Sequence, residues 1–320
     1  MKFTKDLISI IVPVFNREAT IKRCLNSLVG QTYQDIEIIC INDGSKDSSL
    51  ELLNKYAQED TRVKVFSQIN KGVAAARNVG LANANGEYLM FCDSDDEYVP
   101  SMCNEMLDAI KTQNVDLVMC NAVVTIGDAS PEERLSQCRL KSQKEYCNNI
   151  IESQIIVLDE LRRKYMNILL WNKIFKREII ITNQIFFPEG CEHEDEFFIF
   201  LYSLFIDKYF ALNKDLYTYY INNNSIISLV EQGKAKDKYD LFKICCMAFD
   251  FLKESNKFDK CKIDLKHFID LKMLNIKQQF FTHDELMSLS ITFNKKFKEL
   301  ELVYLLKGNR FIVIDRNSLE

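Results

Sequence analysis

Short apolar runs alternate with stretches of helical periodicity along roughly the first 120 residues of the chain. The runs are rich in β-branched residues, and their length is typical of buried strands. The predicted strands are residues 8–14, 35–41, 63–66, 87–92 and 115–120, and the predicted helices are 18–28, one that begins at Asp47 or Ser48, 73–84 and 100–111. Because strands that alternate with helices form βαβ units, the pattern predicts an α/β protein with a Rossmann-like, mostly parallel sheet flanked by helices.

Polar side chains follow the predicted strands at the points where the strands end. Asn16 comes after the first strand, Asp43 after the second, and Asp93-Ser94-Asp95-Asp96 directly after the apolar run 88–92. The carboxyl ends of parallel strands are the places where open α/β sheets bind ligands. Three carboxylates within four residues repel one another, so a positive partner is expected beside them. A hard divalent cation that carries a nucleotide diphosphate meets this requirement.

Two common phosphate-binding loops are missing from the sequence. The first predicted strand continues as Pro13-Val14-Phe15-Asn16-Arg17-Glu18, which has no GxGxxG pattern, and no P-loop signature occurs in the chain. The sequence therefore disfavours dinucleotide binding through a glycine-rich turn and P-loop chemistry.

Composition favours a soluble globular protein. The 320 residues are 47% hydrophobic and 27% charged, with a net charge of −5. No window reaches the ~18 to 20 uninterrupted apolar residues of a bilayer span, and the first residues lack the apolar segment of a secretory signal, so we expect a cytoplasmic protein. Eleven cysteines form an odd set without a CxxC pair, which indicates reduced thiols and no structural zinc.

The α/β pattern fades before the C-terminal part of the chain. We expect residues 1–230 to form one domain, with a nucleotide half at about 1–120 and an acceptor half at about 121–230, and residues 231–320 to form a helical appendage. Residues 128–165 are polar with weak periodicity, as in an insertion or a connection over a site. Between Glu231 and Arg310, sixteen Lys and Arg accompany twelve Asp and Glu, which does not suggest nucleic acid. Helices there either cover the sheet, or rest on anionic lipid at the inner face of the membrane or on a partner.

Four motifs, in this order, resemble those of the inverting family 2 glycosyltransferases of the GT-A fold. They are the segments 9–16 (SIIVPVFN), 41–48 (INDGSKDS), 70–80 (NKGVAAARNVG) and 93–96 (DSDD). The resemblance continues through 171–175 and 194–198 to Tyr217 and Ser225, and ends at about residue 235. It implies metal-assisted, inverting transfer of a hexose or N-acetylhexosamine from a nucleotide sugar, most often UDP-linked, to a glycan or lipid-linked glycan of a bacterial surface polysaccharide.

The resemblance also implies roles for individual positions. Asp43 would read the pyrimidine ring, Asp95 would bind Mn²⁺ or Mg²⁺, and Asp195 would be the base that deprotonates the acceptor hydroxyl. The implied nucleotide contacts are Pro13, Phe15, Asn16, Glu18, Asp43, Lys71, Arg77, Asp93 and Ser94. The implied acceptor-side residues are Trp171, Asn172, His193 and Glu194. For His193 three interpretations stay open: a metal ligand, a group that orients a carboxylate, or a surface residue.

Ordinary structural roles compete with these assignments. Asp43 could close an Asx turn, Asp95 or Asp96 could cap the following helix, and Arg77 could be a solvated surface group. Asp195 could oppose a helix macrodipole, a role that is compatible with catalysis. Trp171 could stack on a sugar or pack in the core.

One position departs from the family pattern. Many relatives carry a basic residue after a Tyr-x-Tyr segment, where this chain has Tyr220. A contact from this loop to a diphosphate is therefore in doubt. Candidates to replace it are Lys214, Lys234 and Lys236.

Two other functions remain open at this point. A nucleotidyltransferase would also use paired acids and a metal, but it usually carries a glycine-rich basic loop after its first strand, which residues 13–18 do not provide. A non-catalytic sugar- or nucleotide-binding module would not need Asp195 or the metal-binding acids, and these are present.

Overall fold

A computed structural model of the protein describes residues 3–126, 150–158, 167–221, 239–275, 281–300, 302–307 and 310–315. The strands are β1 (Thr4–Val14), β2 (Ile36–Asp43), β3 (Val63–Gln68), β4 (Gly86–Phe91), β5 (Glu97–Tyr98), β6 (Leu117–Ile126), β7 (Gln154–Val157), β8 (Lys173–Lys176), β9 (Lys208–Ile221), β10 (Leu302–Lys307) and β11 (Arg310–Asp315). The helices are α1 (Ile21–Val29), α2 (Ser49–Glu59), α3 (Val73–Asn83), α4 (Met102–Thr112), α5 (Arg177–Thr182), α6 (Glu194–Ser203), α7 (Asp240–Glu254), α8 (Phe258–Asn275) and α9 (His283–Lys296). A 3-10 turn, Lys298–Leu300, follows α9.

The centre of the fold is a nine-stranded sheet in the order β3-β2-β1-β4-β8-β6-β9-β5, with β7 also paired to β9. Strands β1 to β4 are parallel to one another, as the βαβ pattern predicts. Every residue of β2 is buried, as expected for a strand covered by helices on both faces. Strand β8 runs antiparallel to both β4 and β6, whereas β6 and β9 are parallel. The predicted mostly parallel sheet is therefore confirmed, with the antiparallel pairs confined to its second half.

Helix α3 lies unusually close to the central strand. A Cβ atom on Gly80 would stand 2.4 Å from Cγ2 of Ile11, so only glycine allows this approach. The same helix buries three alanines, Ala74, Ala75 and Ala76. Small residues thus allow α3 to pack closely against β1. This contact fixes the position of the α3 side chains at the carboxyl edge of the sheet.

The C-terminal helices share a core with the sheet domain. The rings of Phe200 in α6 and Phe268 in α8 stack with centroids 4.0 Å apart. The hairpin of β10 and β11 is an element that the sequence analysis did not anticipate within its helical C-terminal region. The expected boundary at 230/231 lies outside the described residues, as does most of the expected insertion at 128–165. Among the helices that are described, none has the length and apolar character that crossing a membrane requires.

Candidate active site

The loops after β1 and β2 are locked together at the carboxyl edge of the sheet. Asn16, at a φ of 52°, accepts a hydrogen bond through Oδ1 from the backbone N–H of Lys46 at 2.9 Å. Glu18 accepts from the N–H of Ser48 at 2.9 Å, and its own N–H donates to Asp47 at 3.0 Å. Reciprocal side-chain to backbone bonds of this kind fix both loops relative to each other. The loop after β1 is therefore held in place by the loop after β2.

Asp43 organises the loop that leads into α3. Its Oδ1 accepts from the N–H of Lys71 at 2.9 Å and from Nε2 of Gln68 at 2.7 Å, and its Oδ2 accepts from the N–H of Gly72 at 2.9 Å. The residue is 3% exposed. Since a carboxylate offers about four acceptor sites, the three bonds leave room for about one more donor. Asp43 is thus a loop-forming residue that can still accept one ligand N–H.

The three acids after β4 have different surroundings. Asp96 is 1% exposed and accepts hydrogen bonds from the hydroxyl of Tyr217 and the N–H of Tyr220, both at 2.8 Å. Burial, with repulsion from the two neighbouring acids, raises the pKa of Asp96 well above its usual value. Asp93 and Asp95 keep side-chain exposures of 33% and 21%. Asp96 therefore fastens the loop to β9, and of the three acids only Asp93 and Asp95 are accessible to a ligand.

Asp93 and Asp95 suit a cation that is shared with a bound diphosphate. Among the residues that the structure describes, no cluster of three or more His, Cys, Asp and Glu could hold a metal ion. Mg²⁺ is commonly bound by one or two carboxylates together with substrate phosphates and waters, and such a site needs no larger cluster. The donor set fits Mg²⁺ or Mn²⁺ on these grounds, because carboxylate oxygens are the ligands that such hard ions prefer.

Arg77 is the buried cation at the centre of the site. It is 7% exposed, and its Nη1 lies 2.6 Å from Oε1 of Glu194 while its Nη2 lies 3.3 Å from Oδ1 of Asp93. Burial by itself lowers the pKa of the guanidinium, but Glu194, Asp93 and Asp195 raise it overall. Arg77 is therefore not a solvated surface group, and it joins α3, the β4 loop and α6.

Asp195 lies in the first turn of α6, and its Oδ1 accepts from the N–H of Glu196 at 2.8 Å. Burial and the adjacent Glu194 raise the pKa of Asp195 to about 7, although Arg77 opposes the shift. A carboxylate with a pKa close to neutrality is suited to general-base catalysis. The helix-terminus role and the catalytic role are both compatible with this position.

Two further residues lie at the site, and sequence analysis gave neither of them a role of its own. Glu196 is 8% exposed and Lys272, on α8, is 5% exposed, and the two form an ion pair. His193, in the left-handed conformation at a φ of 67°, places Nδ1 2.8 Å from Oε1 of Glu196. Of its three interpretations, this contact favours the one in which His193 orients a carboxylate. Glu196 belongs to the acidic run of residues 192–196 (EHEDE), but no pattern in the sequence connects Lys272 with that run.

The remaining predicted nucleotide contacts lie along the same edge. Phe15 is 40% exposed, Lys71 is exposed and Pro13 is half-buried. Ser94 is 5% exposed, and its carbonyl accepts from the hydroxyl of Thr20 at 3.0 Å. Phe15 and Lys71 are thus open to a ligand, whereas the backbone of Ser94 is held by Thr20, in the loop that precedes α1.

Two predicted acceptor-side residues lie in the core. Trp171 is 5% exposed, and its ring stacks on Tyr217 at a centroid distance of 4.3 Å and on Tyr219 at 5.7 Å. Asn172 is 1% exposed and donates to the carbonyl of Cys120 at 2.9 Å. Of the two alternatives for Trp171, its surroundings favour core packing over sugar stacking.

Arg23 lies beside Tyr220, the position at which many relatives carry a basic residue. The guanidinium carbon of Arg23, on α1, lies 3.6 Å from the centroid of the Tyr220 ring. Its Nη2 donates to the carbonyl of Asp95 at 2.5 Å, and its Nε lies 3.7 Å from Glu97. The hydroxyl of Tyr220 also bonds Glu97. Tyr220 and Glu97 therefore hold Arg23 beside the acidic loop.

Of the three lysines proposed for that function, the structure describes Lys214 alone. Lys214 is paired with Glu105 of α4 at 2.6 Å. Lys234 and Lys236 lie outside the described residues. Arg23 is thus a cation that sequence analysis overlooked.

Comparison with known proteins identifies the family to which the chain belongs. Residues 9–179 match the family model for glycosyl transferase family 2. The putative glycosyltransferase EpsH of Bacillus subtilis (strain 168) is 33% identical over 270 residues, which are 82% of this chain and 74% of EpsH.

Solved structures share the fold. S. aureus TarS 1-349 in complex with UDP-GlcNAc matches with a TM-score of 0.66 and 21% identity over 92% of this chain and 79% of TarS 1-349. The mannosyltransferase PcManGT from Pyrobaculum calidifontis in complex with GDP-Man and Mn²⁺ matches with a TM-score of 0.52 and 13% identity, over 91% of this chain and 80% of its own. The expected GT-A fold is confirmed by the likeness to TarS. Because the family model matches more than half of the chain, the chain belongs to glycosyl transferase family 2 and is a glycosyltransferase.

Proposed function

We propose that this glycosyltransferase moves a hexose or N-acetylhexosamine from a UDP-linked donor to a hydroxyl of a glycan or lipid-linked glycan, with inversion at the anomeric carbon. The observation that carries the proposal is the buried Arg77, which bridges Asp93 of the acidic loop after β4 and Glu194, the neighbour of Asp195 in the first turn of α6. The complex of TarS with UDP-GlcNAc supports the donor class. The poly(ribitol-phosphate) beta-glucosyltransferase of Bacillus spizizenii (strain ATCC 23059 / NRRL B-14472 / W23), which is 27% identical over 80% of this chain and 42% of its own length, supports a polymeric acceptor.

The donor nucleotide is placed by the loops of the carboxyl edge. Asp43 has capacity for one more donor, which the N3–H of uracil supplies in a charge-assisted bond. The exposed ring of Phe15 offers an apolar surface beside it. Arg23, and Arg17 with its Nε 3.9 Å from Asp95, give the diphosphate two cations.

Asp95, with Asp93 beside it, would hold Mn²⁺ or Mg²⁺. When bound, the cation neutralises the negative charge that the departing diphosphate gains. The manganese complex of PcManGT is in keeping with this assignment.

Asp195 takes the proton of the acceptor hydroxyl as the hydroxyl oxygen bonds to the anomeric carbon. The bond from that carbon to the diphosphate oxygen breaks, and its electron pair leaves with UDP. Because attack and departure occur on opposite faces, an α-linked donor gives a β-linked product. Arg77 pairs with Glu194 and Asp93 and so fixes the first turn of α6, which carries the proposed base, beside the acidic loop.

The proposal is tested by incubating the protein with Mn²⁺, a panel of nucleotide sugars and glycan acceptors. We expect release of UDP together with a β-linked product, identified by the anomeric coupling in its NMR spectrum. Pyrophosphate release would indicate a nucleotidyltransferase, and binding without any nucleotide release would indicate a binding module. Either outcome would contradict the proposal.

Asp95→Asn is expected to remove most of the benefit of the metal. The proposed site has at most two carboxylate ligands, so loss of one weakens cation binding. UDP should therefore bind about tenfold more weakly in the presence of Mn²⁺, whereas its affinity in EDTA should change little. Titration calorimetry with UDP in Mn²⁺ and in EDTA measures both. Asp60→Asn, in the ion pair of Asp60 with Arg62, is the control and should behave as the wild type. Equal UDP affinity of the wild type with and without the metal would rule out the assignment.

Arg23→Met is expected to weaken UDP binding about tenfold and to leave uridine binding unchanged, because one charge-assisted contact to phosphate is worth ~1.5 kcal/mol or more. Binding of both ligands is measured by calorimetry. Lys214→Met, which also removes a cation paired with an acid, is the matched control. An Arg23→Met protein that loses uridine affinity as well would show that Arg23 only shapes the loop.

A further inference from the structure

Helix α8 inserts a buried lysine into the acidic run of α6. Lys272 is 5% exposed and pairs with Oε2 of Glu196, which is 8% exposed. This helix lies beyond residues 9–179, the part of the chain that matches the family model. A buried cation paired in this way is costly to keep unless its charge is used or balanced.

Glu196 connects this lysine to the base. Its Oε1 lies 2.8 Å from Nδ1 of His193, and its backbone N–H donates to Oδ1 of Asp195 at 2.8 Å. Burial lowers the pKa of Lys272 to about 8, with Asp195 acting in the opposite direction, so the lysine is mostly charged at neutral pH. Burial lowers the pKa of His193, and Lys272 contributes to this shift. The pair of Lys272 and Glu196 is therefore close to neutral overall beside Asp195.

We propose that Lys272 is a positioning residue, which balances the charge of Glu196 and thereby holds the first turn of α6 and the carboxylate of Asp195 in their working state. This inference rests on the proposed role of Asp195 as the base. It makes the C-terminal region, through one side chain, a part of the acceptor-activating site.

The charges around Asp195 determine what each substitution does. Among the residues that the structure describes, the charged or titratable groups that act on Asp195 are Glu194, Arg77, His193, Asp93 and Lys272, and Glu196 is its neighbour in the chain. Lys272→Met leaves an unbalanced anion beside Asp195, which makes deprotonation harder. Glu196→Gln leaves an unbalanced cation, which makes deprotonation easier. The two changes therefore act in opposite directions on the same base.

The test is the dependence of kcat/KM on pH for the full chain with UDP-sugar and acceptor. We expect the acidic limb of the Lys272→Met profile to move upward by about 0.5 to 1 pH unit, and that of Glu196→Gln to move downward by a similar amount. Lys272→Met/Glu196→Gln, which restores neutrality, should return close to the wild-type limb, and Lys272→Arg should retain it. Lys296→Met is the control, because Lys296 pairs with Asp250 in the same C-terminal region.

The opposite shifts separate this role from a merely structural one. If both single variants lower kcat without moving the limb, or move it in the same direction, the inference is overturned. If Lys272→Met does not fold, Glu196→Gln alone decides, since an unchanged limb in that variant is also incompatible with charge balance. Asp195→Asn is measured in parallel, and full activity in it would instead overturn the proposed base.

Discussion

Asp195→Asn is expected to lower kcat by about 100- to 10,000-fold, the usual contribution of a positioned general base. The amide keeps the shape of the side chain but cannot accept the acceptor's proton. Because Asp195 is not placed on the donor, UDP affinity should stay within about twofold of the wild type, which corresponds to ~0.4 kcal/mol. Initial rates of UDP release at saturating donor and acceptor, together with UDP titrations, give both quantities.

The pH dependence gives the same residue a second signature. Burial and Glu194 raise the pKa of Asp195 to about 7, so kcat/KM of the wild type should fall as the pH drops below that value, as the base becomes protonated. The residual activity of Asp195→Asn should lack this limb. Glu192→Gln, in the same acidic run, is the control and should retain it. An Asp195→Asn enzyme of normal rate would mean that another group removes the proton.

Arg77→Met is expected to lower the free energy of unfolding by about 3 to 5 kcal/mol near pH 8, the usual cost of breaking a buried ion pair from one side. The variant would leave Glu194, Asp93 and Asp195 without the cation that now contacts or faces them. Chemical denaturation of the wild type and the variant measures the difference. Arg177→Met is the matched control, because Arg177 is also buried, at 8% exposure, but packs over the ring of Phe3.

The loss of stability in Arg77→Met should itself depend on pH. Arg77 lowers the pKa of Asp93 and of Asp195 in the folded protein, so its removal raises both. A carboxyl whose folded pKa is raised above the unfolded value of about 4 contributes stability at low pH that is lost as the pH rises through the folded pKa. The variant should therefore approach the wild type at pH 5 and diverge from it at pH 8. A difference that is the same at both values would mean that Arg77 acts by packing alone.

The donor half of the fold was predictable because its signals are local. Continuous apolar runs and intervening helical periods define β1 to β4 and α1 to α4 to within a few residues. The acids Asp43, Asp93 and Asp95 could be predicted as candidates because each lies at or shortly after the end of a strand, and parallel strands bring their carboxyl ends to one edge.

What sequence analysis missed depends on contacts between distant parts of the chain. Lys272 is 76 residues away from Glu196 in sequence, and nothing in the sequence distinguishes it from the three other lysines of its helix, Lys260, Lys262 and Lys266. Trp171 is apolar and could serve either a sugar or the core, and only its neighbours decide between them. Arg23 is held beside the acidic loop by Tyr220 and Glu97, and no sequence pattern connects it with either residue.

The close seat of α3 on β1 has a practical consequence for redesigning this enzyme. Since Gly80 admits no side chain against Ile11, the helix that carries Arg77 cannot be shifted to make room for a larger sugar. Libraries aimed at new donors should therefore leave α3 untouched and vary exposed positions such as Phe15 and Lys71, where changes in size do not disturb the packing beneath.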